Sequence, residues 1–474
     1  MKSFRIICIA VIAVLIAAVF PQNTNAQSNI MYGSSRNPHM NAANPAFFPS
    51  NSNGYVTFPS FNFNLSSPLA FSDIFQYDST SDKTIINATN ILDLMSDKQF
   101  RFGTNIHPFG FGLNFKKFFI TISSQAKVDV GFGLPNGLAT FLNEGNYNHT
   151  GDDVIELLDG NLIGARVYGE GALGFGYRIN DNITVGGRLK MLVGYADLSN
   201  SGSSLTIRTE PDYSAITANL DINMNFTSIM DIHYDSTTDE TTTNIRTFLP
   251  KNYGFAMDLG GRYETDLFEV SASIIDVGPG IHWQDGLNKI VSARENNSFT
   301  FSGVDVSNMM QGGQMDTTFT QMLIDSLKTL TDFKTIEGGS DYWTSLPTKF
   351  NVGGMYHIVK DILSAGILFH GEIERGWVKE GLEYKMKNVG FYSRTSAIVR
   401  AGFRDWIEVV ASNSVVTNNG NVDWFNPGFG VTLTPFRTLQ FYGFMDYISN
   451  IYLVDAKRIN ISFGLNILFG KNED

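Results

Sequence analysis

Read at every second residue, the chain repeatedly separates into two faces. In "RINISFGLNILFG", Ile459, Ile461, Phe463, Leu465, Ile467 and Phe469 share one side, while Asn460, Ser462, Gly464 and Asn466 hold most of the other. From Ile183 onward, Val185, Leu189, Met191, Val193 and Tyr195 alternate with Thr184, Arg188, Lys190 and Gly194. From Ala165, Val167, Leu173, Phe175, Tyr177 and Ile179 stand opposite Arg166, Glu170 and Arg178. "YGFAMDLGGRYE" sets Phe255, Met257, Leu259 and Tyr263 against Asp258 and Arg262. A period of two marks strands with one apolar face. These runs reach about 12 to 16 residues, beyond the 5–6 usual in soluble sheets. A strand crossing a bilayer needs about 9–11, apolar toward lipid and polar toward a lumen.

Candidate strands start near residues 54, 101, 117, 164, 182, 203, 216, 252, 266, 348, 363, 391, 406, 424, 438 and 458. A few of these are expected to lie outside the membrane or to merge, leaving about 14. Short turns such as Asn180-Asp181-Asn182, Thr265-Asp266 and Phe436-Arg437 join many neighbours, so the sheet reads as an antiparallel meander. The expected fold is all-β, a transmembrane antiparallel β-barrel. A secreted soluble sandwich or propeller is the competing reading; no blade-like repeat of 40–50 residues supports a propeller. Inserts at 66–100, 133–163, 227–251 and 284–347 interrupt the meander. "DTTFTQMLIDSLKTLTDF" puts Phe319, Met322, Leu323, Leu327 and Leu330 on a helical stripe. Shorter helices are expected from Ala88 and from Asp152. Barrels keep short periplasmic turns and long outer loops, which places these helices on the cell-surface side.

The N-terminus supplies the compartment. Lys2 and Arg5 precede an apolar run, Ile6 to Phe20, followed by Thr24-Asn25-Ala26, the pattern of a cleaved leader spanning 1–26. The one cysteine, Cys8, lies inside that run, so the exported chain would have neither disulfides nor thiolate metal sites. The net charge is −12, with 34 Lys+Arg against 46 Asp+Glu, and loss of Lys2 and Arg5 deepens it to −14. That argues against nucleic acid as a partner. Residues 27–53, including "SRNPHMNAANPAFFPS", have no strand periodicity. Such a segment is a periplasmic tail or a hatch inside the lumen. It is short for a full plug. The barrel then occupies 54–474, with 284–347 as its longest insert.

"NPA" at Asn44-Pro45-Ala46, after a leader and ahead of a barrel, resembles the hatch region of FadL-type long-chain fatty-acid transporters. "NPAF" also resembles the start of the PorP/SprF and PorV-like proteins of type IX secretion and gliding systems. The chain as a whole resembles an outer-membrane family of unknown function related to these. "FEVSASIIDVGPGIHW" looks like a strand and turn of that family, with Asp276, Gly278 and Trp283 as its points of likeness. The FadL likeness implies passive uptake or binding of hydrophobic small molecules, with Asn44, Pro45 and Ala46 at the gate. The other likeness implies a non-transporting scaffold that docks secreted or surface proteins through its loops. Transport needs an apolar pocket or a lateral opening, and a glycine-kinked strand would favour it; "GEGALGFG", Gly169 to Gly176, is a candidate, and the run equally suits close strand packing.

The polar lumen candidates are Arg166, Glu170, Arg178, Arg188, Lys190, Asp258, Arg262, Arg394 and Arg400. Their mixed signs predict ion-paired filling, and their arginines also suit an anionic head group. The seven histidines show no metal-ligand spacing, and there is no GxSxG, P-loop or EF-hand loop. The expectation is a non-enzymatic protein without cofactor or metal. It would sit in outer-membrane lipid of a Gram-negative cell, with a hydrophobic small molecule or a secreted protein as partner.

Overall fold

The computed structural model describes residues 29–67, 69–70, 75–78, 83–86, 99–133, 148–158, 163–200, 203–235, 240–292, 298–301, 333–380, 383–403, 406–418, 421–436, 438–448 and 457–470. The leader and the helices expected from Ala88 and over 316–332 lie outside these.

Fourteen strands form the wall. β1 comes in two pieces, Gly54–Thr57 and Ser60–Ser66. β2 (Gln99–Asn114), β3 (Phe118–Gly133), β4 (Ile163–Arg178), β5 (Ile183–Asn200), β6 (Tyr253–Glu264) and β7 (Phe268–Trp283) follow. The second half contains β8 (Thr348–Val359), β9 (Leu363–Glu380), β10 (Glu383–Phe403), β11 (Ile407–Asn418), β12 (Asn421–Leu433), β13 (Leu439–Asp446) and β14 (Arg458–Phe469). Each pairs antiparallel with the next, and β1 pairs with both β2 and β14, which closes the ring. Closure leaves no sheet edge in lipid, where unpaired backbone is costly.

The starts near 203 and 216 prove to be outside the wall. Ser204–Thr209 and Ile216–Asp221 join Ile155–Leu158 and Ser298–Phe301 in a separate four-stranded sheet built from the inserts. This corrects the helix expected from Asp152. Ile155 is buried against Ile207, and pairing along the strand satisfies backbone that an isolated helical turn would expose. Among the described residues the helical pieces are α1 (Asn29–Tyr32) and a 3-10 turn at Pro38–Ala42, both in the hatch.

The alternation sorts side chains as the pattern requires. Leu173, Phe175, Leu189, Met191, Phe255, Leu259 and Ile367 point outward, Leu189 being 69% exposed. Glu170, Arg188, Lys190 and Asp258 are buried inside. On β14, Phe463, Ile467 and Phe469 face out while Asn460, Ser462 and Asn466 are buried. Short connections at 115–117, 179–182, 265–267 and 360–362 lie at one end, with 434–436, opposite the long inserts.

The lumen is occupied. Ile30, Met31, Tyr32, Met40, Ala43 and Phe47 of the hatch pack on Leu368, Ile398, Val410, Tyr442 and Phe444 of the wall. The segment that looked short for a plug spans the lumen because the wall's side chains reach inward to meet it. Thr121 of β3 bonds Asn41, Ser273 of β7 and Asn351 of β8 bond the Ala43 carbonyl, and Gln440 of β13 donates to the Arg36 carbonyl. Replacing outward Leu189 with Arg is expected to destabilise the barrel by about 2–4 kcal/mol, the cost of a charge on the lipid face near mid-membrane. Asp181→Arg, in an exposed turn, should be near neutral. Guanidinium unfolding in lipid vesicles measures both.

Candidate functional site

The hatch's "NPA" turn rests in a notch made by glycine. Gly186 of β5 and Gly260 of β6 are cross-strand partners. A Cβ at Gly186 would lie 2.2 Å from the Pro45 carbonyl oxygen, and one at Gly260 would lie 2.0 Å from Asn44 Oδ1. Asn44 is wholly buried. Its Nδ2 faces the Gly261 and Ala272 carbonyls at 3.3 and 3.2 Å and the Tyr32 hydroxyl at 3.2 Å, and its Oδ1 accepts from Ala46 N at 2.9 Å. Pro45 fixes the turn. A single amide thus ties the hatch to two adjacent strands.

Beside the hatch a charge network crosses six strands. Lys127 of β3 bonds Glu170 of β4 at 2.7 Å, and Arg188 and Lys190 of β5 lie 3.6 and 3.7 Å from the same carboxylate. Lys190 also reaches Asp258 of β6 at 2.8 Å and Asp276 of β7 at 2.6 Å, while Lys349 of β8 lies 3.3 Å from Asp276. The geometry depends on a kink in β7. Asp276 has φ +60°, its N–H donates to Asp258 Oδ1 at 2.8 Å, and Gly280 follows at φ +87°. Asp tolerates the left-handed region better than most residues. Gly278 packs where a Cβ would lie 2.4 Å from the Phe255 carbonyl oxygen. Trp283 is fully buried and donates to Thr344 at 2.8 Å.

The other sequence-selected residues are dispersed. Arg166 pairs with Asp197 at 3.0 Å and Arg178 bonds Asn114 at the short-turn end. Arg262 spans Glu264 and Glu269 at 2.9 and 2.8 Å and lies over the Phe47 ring. Those two carboxylates and His357 are close enough to share a cation, but Arg262 already fills that role. Arg400 donates to the Gly33 carbonyl at 3.3 Å. Arg394 stands apart, against Tyr447.

The ladder of the wall lapses at one height, where β1 and β2 keep their register and Phe58 N still donates to the Leu465 carbonyl of β14 at 3.0 Å. The register places Pro59 of β1 opposite Pro108 of β2, and the ladder lapses between Thr57–Gly110 and Ser60–His107. β2 carries an extra residue against β3 between Ile106 and Phe109, and β1 carries one against β14 between Thr57 and Phe61. Phe58, Pro59, Pro108 and Phe109 all face outward, two in a row on each strand. Behind them lies a cavity of about 40 Å³, lined by Phe61, Asn62, His107, Lys127, Lys190 and His39 among others. A second cavity, of about 10 Å³, lies between the hatch and β6–β10. These volumes admit water and no larger ligand. "GEGALGFG", by contrast, stays paired with β3 without a register shift. Its glycines make room for neighbours, Gly176 for the Phe119 ring and Gly174 for Thr121, so of the two readings of this run close strand packing is the one observed.

A family model, described as a family of unknown function (DUF5723), matches residues 45–446. The chain belongs to this family. The matched span starts at Pro45 of the hatch turn and ends at Asp446 of β13. No curated protein sequence matches the chain. Among solved structures the chain is similar to the toluene transporter TodX of Pseudomonas putida, at 10% identity, with 93% of this chain and 96% of that chain covered and a TM-score of 0.43. It is also similar to a Pseudomonas aeruginosa FadL homologue (8% identity, 95% and 99% covered, TM-score 0.43) and to the Ralstonia pickettii toluene transporter TbuX (10%, 92% and 94%, 0.43).

Lys127, Lys349, Pro59 and Pro108 were missed as site residues from sequence. The lysines lie at inward positions on alternating strands, and each proline sits beside a phenylalanine where the alternation skips a step.

Two substitutions test the site. Gly186→Ala should displace the hatch, costing about 1–3 kcal/mol, and should expose Arg36 to trypsin; an uncut hatch would show that the notch tolerates the methyl. Asp276→Asn should cost about 3 kcal/mol, the low end for orphaning a buried charge, because Glu170 and Asp258 still face Lys190. Adding Lys349→Met should recover part of that loss in a double-mutant cycle read by chemical unfolding.

Proposed function

We propose that the chain is an outer-membrane barrel of a Gram-negative cell, exported by a cleaved leader, that takes up or binds hydrophobic small molecules passively. The observation that carries this reading is the proline break beside the hatch. Pro59 and Pro108 have no N–H to orphan, so the ladder opens there without leaving buried donors in lipid. The break has an aromatic rim on the outside, and Phe61, exposed on the outer face, also lines the cavity inside. The geometry supports a sideways route between the bilayer and the lumen. The cavity's small volume makes the observed state a closed one, with Asn44, Pro45 and Ala46 holding the hatch in place.

A second reading is a scaffold that docks secreted or surface proteins. It is favoured by the insert sheet, whose outer strands Ile155–Leu158 and Ser298–Phe301 each pair on one side only among the described residues.

The two readings separate in an uptake assay. Outer-membrane vesicles carrying the protein should take up a neutral fluorescent hydrophobe such as N-phenylnaphthylamine faster than vesicles without it. Pro59→Thr combined with Pro108→Thr restores two ladder donors, at about 0.5–1.5 kcal/mol each, and should slow uptake about tenfold. An unchanged rate in the double variant removes the sideways route. Equal rates with and without the protein remove uptake and leave the scaffold.

A further inference from the structure

The loop that enters β6 leaves two large apolar side chains in the open. Phe248 is 72% exposed and Leu249 75%. Before them, Met230–Asp235 and Glu240–Ile245 form a two-stranded hairpin, and the pair that closes its base, Met230 opposite Ile245, is exposed as well. Apolar residues scattered singly over a surface are ordinary; a group of four on one loop and the hairpin base beside it marks a contact surface.

The loop is braced, so these side chains are not free to tuck in. Arg246 N donates to the Ile229 carbonyl at 2.9 Å, and its Nη2 to the Ser228 carbonyl at 2.8 Å. Leu249 N donates to Thr247 Oγ1 at 3.1 Å. At the far end Asn252 is wholly buried. Its Nδ2 donates to the Gly194 carbonyl at 3.1 Å, and its Oδ1 accepts from Gln284 N and Asp285 N at 2.8 Å each.

Height decides what covers the patch. Tyr253 and Tyr263 both face outward on β6. They stand about 33 Å apart along the strand, or about 25 Å along the membrane normal at a barrel tilt of about 40°. That is the height of the lipid-facing apolar band, whose two rims carry aromatic girdles. Tyr253 therefore marks the rim on the insert side, in one cross-strand row with His282 and Trp343. Val193 of β5 lies opposite Tyr253, and two residues further on the Tyr195 carbonyl accepts from Ile229 N at 3.0 Å. The hairpin base thus sits about 7 Å beyond the rim, and Phe248 and Leu249 lie on the stretch of chain between it and Tyr253.

We propose that Phe248, Leu249 and the Met230–Ile245 pair are seated in the outer leaflet of the membrane, where they hold the insert hairpin against the lipid. The patch continues the barrel's lipid-facing wall, which runs from Tyr253 to the exposed Phe255 and Met257 below it. Arg246 and Lys251 flank the apolar tip. Long basic side chains bury their stems at such a boundary and keep their charges among the headgroups. The proposal rests on the membrane placement of the barrel and not on uptake.

The chain's one cysteine, Cys8, lies in the leader, so a cysteine introduced into the exported protein is its sole labelling site. Phe248→Cys and Leu249→Cys, each carrying a nitrobenzoxadiazole label, are reconstituted in phosphatidylcholine vesicles containing lipid spin-labelled either near the headgroup or deep in the acyl chain. Leu189→Cys on the lipid face and Asp212→Cys in an exposed insert turn are the references. The labels at 248 and 249 are expected to emit to the blue of the one at 212, and to be quenched more by the shallow spin label than by the deep one. The label at 189 should show the reverse order. Emission matching that at 212, with quenching by aqueous iodide and not by lipid, would overturn the proposal. So would blue-shifted emission that ignores the spin-labelled lipids and grows with the protein-to-lipid ratio, since that is a second protein on the patch. If either loop variant does not migrate as a heat-modifiable barrel, the other and Ile245→Cys carry the same expectation. A label at 189 that no lipid quenches removes the membrane placement itself, whereas quenching at 189 without quenching at 248 and 249 removes this inference alone.

Discussion

Everything in this molecule follows from the need to satisfy backbone hydrogen bonds where there is no water. That need makes the sheet close, so β1 must serve two neighbours at once, pairing with β2 on one side and β14 on the other. It also fixes where the wall can open. A gap among ordinary residues would strand donors in lipid. A gap between Pro59 and Pro108 does not, because neither has a donor to strand. The lapse in the ladder is therefore a property of two residues that face each other across the chain's first two strands, beside the seam where β1 meets β14.

The same constraint shapes the lumen. A barrel of this size encloses side chains that cannot all be apolar, because the outward positions have already taken the apolar residues. The inward charges are accommodated by pairing: Lys127, Glu170, Arg188, Lys190, Asp258, Asp276 and Lys349 form a continuous network over β3 to β8. On the opposite wall an apolar cluster, with hatch residues Ile30, Met31 and Phe47 against Leu368, Ile398 and Val410, sits among the buried Arg394, Glu408 and Asp446. Asn44, in its glycine notch, anchors the hatch to β6 and β7, and Ser34 and Ser35 anchor it to Glu408 of β11.

Much of this was legible in the sequence. The period of two in "ITVGGRLKMLVGYADL" and in "RINISFGLNILFG" assigns lipid and lumen faces without further information, because a strand has only two faces and charge cannot face lipid cheaply. The same reasoning selects Glu170, Arg188, Lys190 and Asp258 as inward residues. It fails at "DDVIELLDG", where local helix propensity gave way to pairing with Ser204–Thr209, a partner some fifty residues away. It leaves "GEGALGFG" open, since glycine in a strand serves kinks and close packing alike, and only the neighbours Phe119 and Thr121 show which.

What the sequence by itself determined is the class of fold, an approximate strand count and the face each residue presents, because these depend on periodicity within single strands. What only the tertiary structure decided is which residues meet: Pro59 with Pro108, Gly186 with Gly260 beneath Asn44, and Asp276 with Lys190 and Lys349. Those contacts depend on the register between strands and on the path of the hatch through the ring. Register is set by the closure of the whole sheet, which no segment of the chain encodes alone.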